Sequence, residues 1–412
     1  MSTSPDTAAA GEDTLAAPDG GGVGEPRKLP LFALLALATA VFITSLTETL
    51  PAGLIPAMSG DLHVSESATG QTVTIYAIGT ALTAIPLTAA TSAVPRKVLL
   101  LLAMAGFAVA NTVTAVSSIY GLTMVARFLA GVAAGLAWAL LAGYARRMAP
   151  VPLQGKAIAI AMAGIPVALS LGVPAGTFVG SELGWRVSFL AMTAITIAVL
   201  VWIFAAVPDA PGQERGESPK LLSAARVPGV APVLFVTLLF VLAHTILYAY
   251  VAPFLGDLGL GHNTDLVLLV FGAASLLSIW TVGTQIHRRL RTLTVASTLL
   301  VAAAAALLAV VADHTAPVYV AAFLWGLGWG GVPTLLQTAA GDAGGDAADA
   351  AQAMLVTLWN VAMAAGGLLG GILLDVAGSG SLPWTMLLIL LPVLVVVVLA
   401  RGHGFPRRRA AS

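Results

Sequence analysis

The chain has 412 residues, no cysteine and a formal net charge of zero, with only 9% charged residues against 58% hydrophobic ones. Its mean hydropathy is +0.95. A water-soluble domain carries roughly 25% charged residues, so this chain cannot cover a globular surface in water. The missing cysteines exclude disulfide frameworks and thiolate metal sites. Six histidines without paired spacing suggest no metal centre, and no basic surface suggests a nucleic-acid partner.

Residues 1–28 are rich in Ala, Gly, Pro, Ser, Thr and acids and read as a disordered tail. They do not form a signal peptide: the basic pair Arg27–Lys28 comes late, and the apolar run after it outlasts a signal's hydrophobic core. Apolar runs long enough to cross a ~30 Å hydrocarbon layer as helices then recur along nearly the whole chain. They predict spans over 29–57, 67–92, 97–117, 119–147, 156–180 and 187–207, then 229–256, 265–286, 292–312, 316–340, 350–376 and 382–401. The fold class is therefore all-α integral membrane, with twelve transmembrane helices in two pseudo-symmetric bundles. The first bundle covers 29–207 and the second 229–401. A Pro-rich cytoplasmic linker, 208–228, joins them, and a basic cytoplasmic tail, 402–412, follows.

The nineteen lysines and arginines support this map. With the N-terminus inside, all but two fall in the tails, the linker and the cytoplasmic loops, where the positive-inside rule expects them. Only Arg186 falls in an outer loop and only Arg127 within a span. Both termini are expected in the cytoplasm, and the chain is expected to be a monomer in the inner (plasma) membrane. The halves also look alike at an offset near 195 residues. Arg127, Gly131 and Gly135 of span 4 parallel Ala322, Gly326 and Gly330 of span 10, and Gly172 and Gly176 of span 5 parallel Gly367 and Gly371 of span 11. Internal duplication of this kind is common in secondary transporters, whose binding site lies near the midplane between the repeats.

Ionisable side chains cost ~2.5–3.5 kcal/mol at a bilayer centre on insertion scales and usually face a cavity or a partner. Glu48 lies about ten residues before the outer end of span 1, and Arg127 about nine after the outer start of span 4. At ~1.5 Å per residue both sit at similar depth, as a proton-carrying site or as a structural ion pair. An arginine does not itself shuttle protons. His244, with Tyr248 one turn on, sits midway through span 7, where it could titrate or bond substrate. Trp325, Trp329 and Asn360, with Trp359, are candidates for an aromatic pocket or simply for packing. Gly164, Pro166, Gly172, Pro174 and Gly176 make span 5 a bent, closely packed helix. Asp375, at the outer end of span 11, reads as a snorkelling carboxylate.

Together these residues resemble the major facilitator superfamily, specifically its twelve-span drug:proton antiporter branch, over about residues 30–401. Thr47, Glu48, Pro51, Gly53 and Pro56 look like that branch's first-helix signature. Asn111, Tyr120, Arg127, Gly131 and Gly135 resemble its pattern across the third and fourth helices, whose arginine is implicated in proton coupling. Gly172, Pro174 and Gly176, with Gly184, Trp185 and Arg186, resemble its antiporter motif. Sugar, nucleoside and chloramphenicol exporters share the subgroup pattern. Two departures stand out. In the gating loop between spans 2 and 3, Thr88, Ser92 and Pro95 replace the family's usual Gly and Asp before the basic pair Arg96–Lys97, whereas the 8–9 loop keeps Gly283 with His287, Arg288, Arg289 and Arg291. Ala134 stands where subgroup members often carry histidine.

The expectation is a proton-coupled antiporter that exports small organic molecules by alternating access, with protons and a small-molecule substrate as partners, membrane lipid around it and no cofactor. A proton symporter or uniporter for a small nutrient, such as a sugar or nucleoside, is the alternative. An intramembrane enzyme would need a nucleophile–base set or metal ligands at depth, and neither His-Glu-x-x-His nor Gly-x-Ser-x-Gly occurs.

Overall fold

The computed structural model describes residues 29–91, 93–150, 153–209, 225–311 and 314–405, and these form helices and turns with no strand. The expected tail at 1–28, the linker over 210–224, Ser92 and the final basic residues Arg407, Arg408 and Arg409 lie outside the described residues.

Twelve spans follow in chain order: α1 (Leu31–Thr49, continued by Pro51–Leu62), α2 (Glu66–Ala90), α3 (Arg96–Val116), α4 (Tyr120–Arg147), α5 (Gln154–Leu183) and α6 (Trp185–Ala206). The second six are α7 (Val230–Tyr248, continued by Val251–Asp257), α8 and α9 within one tract (Thr264–Val311), α10 (Thr315–Trp329, continued by Val332–Gly344), α11 (Ala348–Ala377) and α12 (Ser381–Leu399). Eleven are long and apolar enough to cross a bilayer by themselves. The other, α2, carries Gln71 and six threonines, and of these Gln71 and Thr80 bond neighbouring helices.

The spans expected from the sequence lie close to these helices, but several of the helices are broken. Proline and glycine explain the difference. α1 stops at Thr49 and restarts at Pro51, reaching Leu62 instead of 57. α7 breaks after Tyr248, just before Pro253, and α10 breaks at Gly330–Gly331, just before Pro333. α5 is a succession of short pieces with a π turn over Ala168–Gly172, lying between Pro166 and Pro174, neither of which can donate to the helical ladder. α8 and α9 run together, and the polypeptide turns at the non-helical Arg289 (φ −133°, ψ 28°).

The internal repeat has a physical counterpart. In the first half, Gly131 of α4 lies so close to α2 that a Cβ would strike the Tyr76 carbonyl. The Thr80 hydroxyl, 3.1 Å from both the Tyr76 and Gly131 carbonyls, can donate to either. In the second half, each residue 195 positions on, Gly326 meets the Phe271 carbonyl. There the Ser275 hydroxyl lies 2.8 Å from the Phe271 carbonyl and 3.2 Å from that of Gly326. Both halves thus fasten their second helix to their fourth with one small hydroxyl and one glycine.

Apart from Arg186, the described loop arginines and lysines lie at the helix ends on the side where α1 starts, called the basic face below. On the opposite, far face Arg186 is paired with Asp61, stacks on the Trp185 ring at 4.4 Å and donates to the Ser117 carbonyl at 3.3 Å. That ring's Nε1 also donates to Asp61, at 3.0 Å. Arg186 is therefore held to α1 and to the α3–α4 turn. The two halves meet on the far side of the midplane. α2 crosses α11 there, α5 packs on α8 where Gly272 abuts Ser170, and the outer pieces of α1 and α7 lie side by side.

Candidate transport site

The site is built around the break in α1. In a helix the N–H of residue 51 would bond the carbonyl of residue 47, but residue 51 is proline, so the Thr47 carbonyl is left without its partner. Arg127 supplies the missing donor: its Nη2 donates to the Thr47 oxygen at 2.7 Å and its Nε to the Thr72 oxygen at 3.4 Å. The guanidinium is fully buried, 4.9 Å over the Tyr76 ring, which is favourable for a cation on an aromatic face. Tyr76 in turn donates to the Thr44 carbonyl at 3.2 Å. Asn111 of α3 donates to the Thr47 hydroxyl at 3.2 Å. Three helices therefore converge on one turn of α1, while Arg127 Nη1 and Asn111 Oδ1 remain without hydrogen-bond partners.

Glu48, the next residue, is half-buried and makes no hydrogen bond or ion pair among the described residues. It lies near enough to Arg127, and to the hydroxyls of Tyr76 and of Tyr248 on α7, for its charge to act on all three. The similar depth read from the sequence fits this placement, since Arg127 bonds the residue adjoining Glu48. The two side chains do not form an ion pair within 4 Å.

The second half contributes an aromatic wall. His244 and Tyr248 lie one turn apart on α7, and Trp325 and Trp329 one turn apart on α10, so each pair shares a helix face. Trp325 Nε1 donates to His244 Nδ1 at 3.1 Å, and the imidazole stacks on Trp329 with ring centres 3.5 Å apart and planes 7° apart. An imidazole accepting at Nδ1 keeps its proton on Nε2. Phe271 of α8 lies 5.1 Å from Trp325, and Trp359 of α11 lies 5.7 Å from Trp329. The Tyr248 hydroxyl is buried and unpartnered. Asn360, which follows Trp359 on α11, donates from Nδ2 to the Val356 carbonyl one turn back at 2.9 Å.

The α5 glycines form a groove for α1. A Cβ on Gly164 would strike the Ala38 carbonyl. One on Gly172 would lie 2.9 Å from Phe42, and one on Gly176 would lie 2.7 Å from Leu50. Pro166 and Pro174 flank the π turn, so the motif sets both the fit and the bend. Of the basic pair, Arg96 is buried, while Lys97 is half-buried and donates to the Phe204 carbonyl at 2.8 Å, 5.4 Å from that residue's ring. Lys97 thereby ties α3 to the end of α6, within its own half.

Sequence reading missed Tyr76 and Phe271, aromatic residues in otherwise ordinary spans, and the role of the Thr47 carbonyl. The last was discoverable, because a proline four residues on frees a carbonyl and the predicted spans together contain, away from their ends, only one arginine, Arg127, to meet it.

The profile of the Major Facilitator Superfamily matches residues 37–366. The chain belongs to this superfamily of secondary transporters, and the match runs from α1 into α11, across the site and both halves of the repeat.

Proposed function

We propose that the protein is a proton-coupled antiporter that exports small organic molecules across the cytoplasmic membrane, the basic face being cytoplasmic. Glu48 is the proton carrier and the aromatic wall of α7 and α10 is the substrate surface. One observation carries the reading: Glu48 is partly open and unpaired while the nearby Arg127 is fastened to backbone carbonyls. A carboxylate locked to an arginine would hold its charge through the cycle. One beside a positive charge spent elsewhere can be loaded and emptied as its surroundings change. Exchange of proton and substrate at adjoining positions, followed by rocking of the halves, gives alternating access. Each proton moving inward gains about 2.3 kcal/mol per 100 mV, enough for roughly fifty-fold substrate accumulation.

The test is transport in proteoliposomes over a compound panel with an imposed pH gradient, comparing wild type with Glu48→Gln. The expected result is uphill export by wild type and loss of gradient-driven accumulation in the variant, with downhill exchange retained. Unchanged uphill export and pH dependence in Glu48→Gln would remove Glu48 from the role. Substrate moving with protons in the same direction would replace antiport with symport.

A further inference from the structure

The seam that closes the far face contains one polar knot that the transport site does not use. Tyr250 follows the break in α7, in the sparsely populated backbone region (φ −118°, ψ 27°), and is fully buried. Its ring fills a notch cut by three glycines. A Cβ on Gly70 of α2 would overlap the ring. On α11, a Cβ on Gly370 would lie 2.8 Å from it, and one on Gly371 would lie 2.6 Å from its hydroxyl. The hydroxyl donates to the Gly367 carbonyl of α11 at 2.8 Å and accepts from Gln71 Nε2 of α2 at 3.1 Å. The same Gln71 nitrogen lies 3.4 Å from the Gly367 carbonyl, and the Ser67 carbonyl is 3.4 Å from the Tyr250 hydroxyl.

Tyr250 and Gly367 belong to the second half, and Gln71, Gly70 and Ser67 to the first. Parting α2 from α11 therefore withdraws the ring from Gly70 and breaks the two bonds that Gln71 makes to the second half. The Gln71 amide then keeps the Ser67 carbonyl of its own helix, a long 3.4 Å contact, whereas the Tyr250–Gly367 bond survives within its own half. An apolar seal would separate with little positional preference. This knot has one geometry in which the hydroxyl proton, the amide and the carbonyl are all used, and it exists only when the far face is shut.

We infer that Tyr250 and Gln71 form a latch that holds the far face closed and sets the ratio of outward-closed to outward-open protein. The inference rests on alternating access but not on proton coupling, direction or substrate.

The chain has no cysteine of its own, so two spin labels can be placed cleanly at Glu182→Cys and His262→Cys. Both sites are exposed on the far face, one in each half. Double electron–electron resonance in lipid nanodiscs reads the short (closed) and long (open) populations. Tyr250→Phe keeps the ring in its notch and removes only the hydroxyl; Gln71→Met removes the amide at similar volume. Loss of one such bond is expected to raise the open-to-closed ratio about fivefold. The double variant should show little more than either single one, because both substitutions delete the same bond. Open populations in both variants equal to wild type, or fully additive effects, would overturn the latch. A single short distance in every protein would instead overturn the rocking movement beneath it.

Discussion

Arg127 reaches across from α4 to donate to the Thr47 carbonyl at 2.7 Å, the oxygen that Pro51 leaves without a helical partner. The arginine is therefore an element of the backbone of α1, and its loss should be felt as instability. Lysine carries the charge but cannot reproduce a planar fork lying over Tyr76. Arg127→Lys should cost about 1.5–3 kcal/mol, the range for hydrogen bonds to charged groups. Glu48→Gln, which breaks no bond, should fall within about 0.5 kcal/mol of wild type or stabilise slightly, since an unpaired carboxylate is costly in a low-dielectric interior. Thermal unfolding of the purified variants in one detergent separates the two. Equal large losses would mean that Glu48 and Arg127 do form an ion pair.

The paired clamps of the two halves predict matched sensitivity. Gly131→Ala and Gly326→Ala each place a methyl against a backbone carbonyl, that of Tyr76 or of Phe271, with no flexible side chain to yield. Overpacking of this kind costs about 1–3 kcal/mol. Gly143→Ala, which meets nothing within 4 Å, should be neutral or mildly stabilising through its helix propensity. The comparison is made on melting temperature and on the yield of monodisperse protein. A silent Gly326→Ala beside a damaging Gly131→Ala would show that the repeat is one of sequence only.

Those clamps also mark what was legible beforehand. The 195-residue offset was visible because glycines were kept at close crossings of α4 and α10. The hydroxyls that complete the clamps, Thr80 and Ser275, were not, since threonine and serine are common in membrane helices and most simply bond the carbonyl one turn back. Span positions came through because hydrophobicity and charge segregation act over ~20 residues. The breaks at Leu50, Tyr250 and Gly330 did not, because a proline identifies an orphaned carbonyl without saying whether the helix bends, stops or recruits a donor. His244, Tyr248, Trp325 and Trp329 were singled out one by one. Their assembly into a single stack depends on the relative rotation of α7 and α10, which no local pattern records.

A pH response is expected at the far face. Glu66, the first residue of α2 and outside its apolar stretch, is partly buried in the closed seam. Burial first, and then the charge of Asp257 on the outer piece of α7, push its carboxyl above the usual carboxylate range. Asp375, on α11, lies near Tyr250 on the same seam. A raised value means that the closed form holds the proton more tightly than an opened, solvated one. The closed form is thus fully favoured at low pH and loses that advantage as pH rises through the raised value. Acidifying the far side should increase the short-distance population in the spin-label experiment, and Glu66→Gln should flatten that dependence. A response that survives in Glu66→Gln would show that Glu66 is not its source.

The end of the chain provides a prediction about assembly of the second half. After α12 the polypeptide turns back, and Phe405 is fully buried in the hydrophobic cluster that includes Val230 and Val233 of α7. Its N–H bonds the Ala400 carbonyl at 3.1 Å. Two glycines in left-handed backbone make the fit possible. Gly229 (φ +97°) starts α7 and lies against Gly404 (φ +94°), where a Cβ on Gly229 would come within 2.5 Å of the Gly404 nitrogen. A side chain at either position is strained, and at Gly229 it also forces the tail off α7. Phe405→Ala should cost about 3 kcal/mol, the low end for a buried phenylalanine, and Gly229→Ala a similar amount through displacement of the same tail. Because both changes release one contact, the double variant should melt close to the worse single one. Summed losses in the double variant would show that Gly229 and Phe405 act independently.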